Sequence, residues 1–161
     1  MPSPVVVNAS PIIVLAKTGY LDLLRLAGDP VQVPLAVAQE VMRAGPNDPA
    51  ALALTQVPWL ASVDPGPAPA TLQAFRLDPG EESVLTWALT NPGTETLIDD
   101  QAARRCARAL SIPCRGCLGL VIVAKKQGVV PLARPVLEQL RQAGLRLSDR
   151  VLNLALAQVG E

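Results

Sequence analysis

The chain has 161 residues, half of them hydrophobic and 17% charged, with a mean hydropathy of +0.31; this supplies one buried core and excludes an intrinsically disordered chain. Histidine is absent and aromatic residues make up 2%, which excludes His-dependent triads, most zinc hydrolase sites and an aromatic platform for stacking bases. The net charge is zero, yet residues 1–100 hold four basic against eleven acidic side chains and residues 101–161 hold ten against three. Either these are ordinary solvated helix faces, or an acidic pole for cations lies beside a basic surface for a polyanion.

Val5–Val7 is a β-branched run between Pro4 and the turn-forming Asn8-Ala9-Ser10, which predicts a buried strand ending at Asn8. Ser10 followed by Pro11 reads as the cap and first position of a helix reaching about Lys17. Gly19 breaks it, and Tyr20–Ala27 adds a further amphipathic turn or two. Val31–Val33 predicts a strand closed by Pro34, then a helix over Leu35–Ala44, a turn at 45–49 and a small Ala/Leu helix. Trp59–Val63 predicts a strand, and Asp64–Pro69 is the most loop-like stretch, too short to separate two domains.

Asp78-Pro79-Gly80-Glu81 opens a helix reaching about Leu89. Thr94–Ile98 predicts a strand ending at Asp99-Asp100, Gln101–Leu110 a helix and Ile112–Cys114 a short strand. Leu118–Gln127, Pro131–Ala143 and Ser148–Val159 are helices, the last capped by Ser148.

Strands linked through helices, with no hairpin signal between them, predict a mainly parallel sheet in one α/β domain over residues 1–161, with a helix-rich C-terminal third. In such sheets ligands bind beyond the carboxyl ends of the strands, which directs attention to Asn8 and Asp99-Asp100. No leader or membrane span is expected, because the N-terminus lacks a basic region and the apolar run Cys117–Ala124 is too short. The odd set Cys106, Cys114 and Cys117 suits a reducing, cytoplasmic setting without disulfides, and Cys114-Arg-Gly-Cys117 is a lone C-x-x-C with no second ligand pair.

Five oxygen-bearing residues fall at the predicted strand ends or on adjoining helices: Asn8, Glu40, Glu81, Asp99 and Asp100. A hard divalent cation takes oxygen ligands and keeps several waters, so a few carboxylates round one pocket suffice. Each residue also has a structural reading. Asn8 suits an Asx-turn or cap, Glu81 a capping box with Asp78, Asp99-Asp100 the cap of the next helix, and Glu40 a half-exposed helix position.

Taken in order, the chain resembles the PIN-domain superfamily, in particular a compact branch of PIN-like proteins related to VapC-type toxins. The likeness rests on Val5-Val6-Val7-Asn8-Ala9-Ser10 through Lys17, Gly19–Leu24, Val33-Pro34 through Glu40-Val41, and Pro79-Gly80-Glu81 reaching Ala88. It continues in Leu97-Ile98-Asp99-Asp100 with Arg104-Arg105 and Ala107, Gly116–Gly119, and Ala124-Lys125-Lys126.

The resemblance implies a PIN-like three-layer sandwich and a metal-dependent ribonuclease of toxin–antitoxin type. Mg²⁺ or Mn²⁺ would be held by Glu40, Glu81, Asp100 with Asp99 beside it, and Asn8. RNA would be gripped by Arg104, Arg105 and Arg108, aided by Lys125 and Lys126. An antitoxin protein and a second copy, paired through Ile12–Lys17 and Tyr20–Ala27, are the other partners it implies; a membrane is not. Asn8 stands where active PIN nucleases carry an aspartate, and Cys117 where this branch often shows Thr or Ser. Losing one anionic ligand weakens a small-cation site, so the alternative is a catalytically impaired module that binds RNA or a protein.

Overall fold

The computed structural model describes residues 3–161; Met1 and Pro2, part of the segment read as lacking a leader signature, lie outside the described residues. β1 (Val5–Val7), β2 (Val31–Pro34), β3 (Leu60–Val63), β4 (Glu95–Leu97) and β5 (Cys114–Arg115) form one sheet in the order β3-β2-β1-β4-β5. Every neighbouring pair is parallel, with Val5 opposite both Val31 and Glu95. Parallel neighbours require crossovers, and helices supply them. α1 (Ala9–Thr18) and a 3-10 turn at Leu21–Leu26 join β1 to β2, and α2 (Leu35–Met42) and α3 (Pro49–Gln56) join β2 to β3. α4 (Ala70–Gln73) and α5 (Pro79–Thr90) lead to β4, and α6 (Gln101–Ala109) leads to β5. α7 (Cys117–Lys126), α8 (Ala133–Gln142) and α9 (Asp149–Ala157) form the helix-rich final third of this α/β sandwich.

Successive strand side chains point to opposite faces, and Val5, Val6 and Val7 are all 0% exposed, so helices seal β1 on both faces. The chain steps from β1 outward to β2 and β3, then returns to β4 on the other flank. That reversal opens a crevice at the carboxyl ends of β1 and β4. Asn8 follows one of these strands, and Asp99 and Asp100 lie just beyond the other.

Several boundaries differ from the sequence reading. α1 begins at Ala9 with Asn8 as its extended N-cap (φ −82°, ψ 170°), so Ser10 and Pro11 lie inside the first turn. Proline is tolerated there because first-turn N–H groups have no helical partner. Within Tyr20–Ala27 the chain forms a 3-10 turn at Leu21–Leu26, and α4 follows the Pro-rich loop unannounced. β5 is shifted to Cys114–Arg115, since the ladder starts with the Pro113 carbonyl accepting from the Thr96 N–H (2.8 Å), and the Arg115–Glu95 ion pair (2.8 Å) holds the edge. Ile12, Val14 and Leu15 of α1, with Leu23 and Leu24 of the turn, are buried in the chain's own core. Among the described residues no helix is long and apolar enough to cross a membrane, and the three cysteines are free.

Candidate active site

Asn8 leaves β1 with its N–H bonded to the Leu97 carbonyl of β4 (3.0 Å), which fixes its backbone at the crevice. Asparagine is a favoured helix cap, yet this side chain makes no capping hydrogen bond. Its Oδ1 is buried without a partner. An unpaired buried amide oxygen costs desolvation free energy of about 1–3 kcal/mol, so the position is not explained by turn formation.

Three further elements bring carboxylates to the same place. α5 starts at the carboxyl edge because it runs back toward β4. Asp78 caps it, with Oδ1 accepting from the Glu81 N–H (2.9 Å). Gly80, in its first turn, exposes a bare Cα: a Cβ there would lie 2.8 Å from Glu40 Oε2, 3.3 Å from Asn8 Oδ1 and 3.6 Å from Asp78 Oδ1. Three oxygens from three separate elements thus gather round one glycine. Asp100 caps α6, with Oδ2 accepting from the Ala103 N–H (3.0 Å). Asn8, Glu40, Asp78, Glu81, Asp99 and Asp100 all line one cleft of about 270 Å³.

Electrostatics follow from this crowding. Burial first, then the neighbouring Asp78 and Asp100 carboxylates, push Glu81 up to about 7. Glu40 is raised as well, by burial and then by Asp78, partly countered by Arg43. Like charges held together in a half-dry cleft favour taking up a proton or a cation. Among the described residues no group of three or more Cys, Asp or Glu side chains is placed to hold a metal ion. The donors are instead an open set of oxygens, the kind that suits a hard cation retaining its waters.

Asp99 differs from the others. Its Oδ1 accepts from the Cys117 N–H (2.7 Å) and its Oδ2 from the Cys117 thiol (3.0 Å), so both oxygens serve the start of α7. Burial, then the Asp99 charge, drives the Cys117 thiol far up, which keeps it a neutral donor.

A sequence model of the family described as DUF3368, PIN domain, matches residues 4–161. The chain belongs to the PIN-domain family. No curated protein and no solved structure matches it. The PIN domain is a nuclease-type fold, and in this PIN domain the acid-lined cleft lies at the carboxyl edge of the sheet.

The basic residues divide by position. Arg104 Nη1 donates to the Ile98 carbonyl (3.0 Å) at the edge of the cleft, and Arg104 and Arg108 together line a neighbouring recess. Arg105 is exposed on α6. Lys125 stands eight residues along α7 from Cys117, roughly 12 Å at the helical rise. There it is held by the Pro131 carbonyl (2.6 Å) and Glu161 (3.7 Å), with Lys126 beside it. Sequence reading missed Asp78 as a site residue, although it lies three residues before Glu81 on one helical face. It also missed Gly80 and Arg146; the latter carries no local signal, because its place depends on how α8 and α9 pack.

Proposed function

We propose that this PIN domain is a Mg²⁺- or Mn²⁺-dependent ribonuclease of the VapC-like toxin type, cutting RNA phosphodiesters in the acid-lined cleft. The observation that carries the reading is the buried, partnerless Asn8 Oδ1 beside Glu40 and Asp78 round the bare Cα of Gly80. A cation ligated by this oxygen would supply the partner it lacks. Asn8, Glu40, Glu81 and Asp100 would hold the ion, with Asp78 lining the same cleft. When bound, the ion neutralises the clustered carboxylates and acidifies water it ligates.

This chain's own groups do the rest. Glu81, pushed up to about 7 in the metal-free cleft by burial and by Asp78 and Asp100, would give up its proton when a cation joins the cluster, so ion binding and deprotonation of Glu81 are linked. Asp78 and Asp100 each use one oxygen to cap a helix, which fixes the other in place. Asp99 acts as a positioning residue through Cys117. Arg104 and Arg108 supply phosphate contacts, which give affinity without sequence choice. A toxin of this type is held in check by an antitoxin protein, the second partner the reading calls for.

Asn8 itself favours a second reading, an RNA-binding module with an impaired metal site, since an amide supplies no charge. One assay separates the two: RNA cleavage with Mg²⁺ and with Mn²⁺, comparing wild type with Asp100→Asn, which keeps a helix-capping oxygen. Cleavage lost in the variant supports the nuclease. Absent cleavage by a wild type that still binds RNA supports the module, and metal-independent cleavage overturns both readings.

A further inference from the structure

Beside the acidic cleft lies a second, larger cavity of about 370 Å³, walled by the starts of α6 and α7, by α9 and by the α8–α9 loop. The two share a wall: Asp99, Leu145 and Arg146 line both. The α8–α9 loop owes its shape to Gly144, whose φ of +122° ends α8, after which the Leu145 N–H returns to the Leu140 carbonyl (2.9 Å). Leu145 is buried and Leu147 half-buried, so the chain alternates and Arg146 between them is turned outward to the rim.

The charges near this cavity are not equivalent. Arg115 is engaged by Glu95, and Arg141 by Asp149. Arg146 has no acidic partner among the described residues and stands on the ridge between the two cavities. Arg104 lines the larger cavity and also the recess of about 130 Å³ that it shares with Arg108. Arg146 thus lines both cavities, Arg104 the larger cavity and the recess, and Arg108 the recess. Between them the cavity offers an apolar floor, including Leu118 and Ile122, and the side-chain amide of Gln158.

We infer that this cavity is a subsite for one unpaired nucleotide adjoining the phosphate in the acidic cleft, with Arg146 on the phosphate shared by the two cavities. Arg104 and Arg108 take phosphates further along the strand. An anion approaching a cluster of carboxylates needs a cation at the rim, and Arg146, which lines both cavities, supplies one beside Arg104. The cavity is open and its lining mixes polar and apolar groups; a base enters it only when it has left the helical stack, so the ligand is single-stranded nucleic acid. Of the nuclease reading, this inference takes over only that a phosphate occupies the acidic cleft.

The test is fluorescence anisotropy with a labelled single-stranded RNA octamer in Ca²⁺, which screens the cleft carboxylates but acidifies bound water far less than Mg²⁺, so that binding is read without cleavage. Arg146→Ala should bind about tenfold more weakly and lose about one unit of the slope of log affinity against log salt. Val151→Trp fills the mouth from a helix position 45% exposed, so the fold tolerates it; it should weaken binding about tenfold with the salt slope unchanged. Thermal melting monitors the fold of both variants. The same sequence as duplex should bind at least about tenfold more weakly than the single strand.

Wild-type affinity in both variants, no binding by wild type, or equal affinity for duplex would each overturn the inference. So would equally tight, Arg146-dependent capture of a polyglutamate peptide, which would mark an acidic-peptide groove. Glu40→Gln separates this outcome from the nuclease question. If binding depends on Arg146 and Val151 while no protein cleaves, the subsite stands and the nuclease falls; cleavage lost only in Glu40→Gln, with both groove variants binding normally, gives the reverse.

Discussion

Asp99 clasps Cys117 with both carboxylate oxygens, taking the backbone N–H at 2.7 Å and the thiol at 3.0 Å. The clasp ties the end of β4 to the start of α7. It accounts for a cysteine at this buried place: a small side chain with one donor satisfies the second oxygen. Removing that donor leaves Asp99 Oδ2 unpaired. Cys117→Ala should therefore lower stability by about 1–3 kcal/mol, and Cys117→Ser, which keeps a donor, by less. Urea unfolding of the two variants decides it, and equal losses would refute the role given to the thiol. Of the three thiols, only half-buried Cys114 should react quickly in the folded protein, since burial drives Cys106 and Cys117 up and shields both.

Glu81 makes the stability of the metal-free protein depend on pH with an unusual sign. Its carboxyl titrates near 7 in the fold and near 4.5 when unfolded, so between these values the folded chain holds the extra proton. Stability should be highest below pH 4.5 as far as this group is concerned, decline as pH rises to 7 and level off above. The slope is bounded by about 1.4 kcal/mol per pH unit. Melting temperature against pH in EDTA should show this decline in wild type and a flatter profile in Glu81→Gln. Identical profiles would remove Glu81 as the cause.

Gly80→Ala probes the cradle. The added Cβ meets the far end of Glu40, which can swing aside, and Asn8 Oδ1 at 3.3 Å. Alanine also favours a helix over glycine by up to about 1 kcal/mol. Thermal stability should therefore hold or rise, while Mn²⁺ affinity measured by calorimetry drops about tenfold or more. Unchanged affinity would mean that the oxygens round Gly80 are not ligands.

Asn8→Asp restores a charge at the buried oxygen. Divalent binding should tighten about tenfold, and any RNA cleavage should increase. The metal-free variant should be slightly less stable than wild type, because another carboxylate joins a crowded set. Calorimetric titration with Mn²⁺ of both proteins tests this; equal affinities would make Asn8 a turn residue and favour the binding module.

The fold was largely legible because its signals are local. Three consecutive valines, the Asp78-Pro79 and Ser148 caps, and the lack of hairpin turns are each read within a few residues. The errors also have local causes: Pro11 drew the helix start inward, and Pro113 supplies a carbonyl but no donor, displacing β5. The site was partly legible, since strand ends and the family likeness pick out Asn8, Glu40, Glu81 and Asp100. Asp78 was hidden by its capping role: the Oδ1 that accepts from the Glu81 N–H is the same oxygen that lies beside Gly80. Arg146 was illegible, as nothing in residues 140–150 reveals what α8 and α9 pack against.

The cleft draws its oxygens from four stretches far apart in the chain, around residues 8, 40, 78–81 and 100, and no local fragment contains it. Occupancy of the cleft is therefore coupled to cooperative folding of the whole sheet rather than to the ordering of one loop. A species bound only by the native state at a hundred times its dissociation constant raises the global unfolding free energy by about 2.7 kcal/mol. Hydrogen exchange should register that gain at the amides of the central strand, far from any ligating atom, as fully as at the rim.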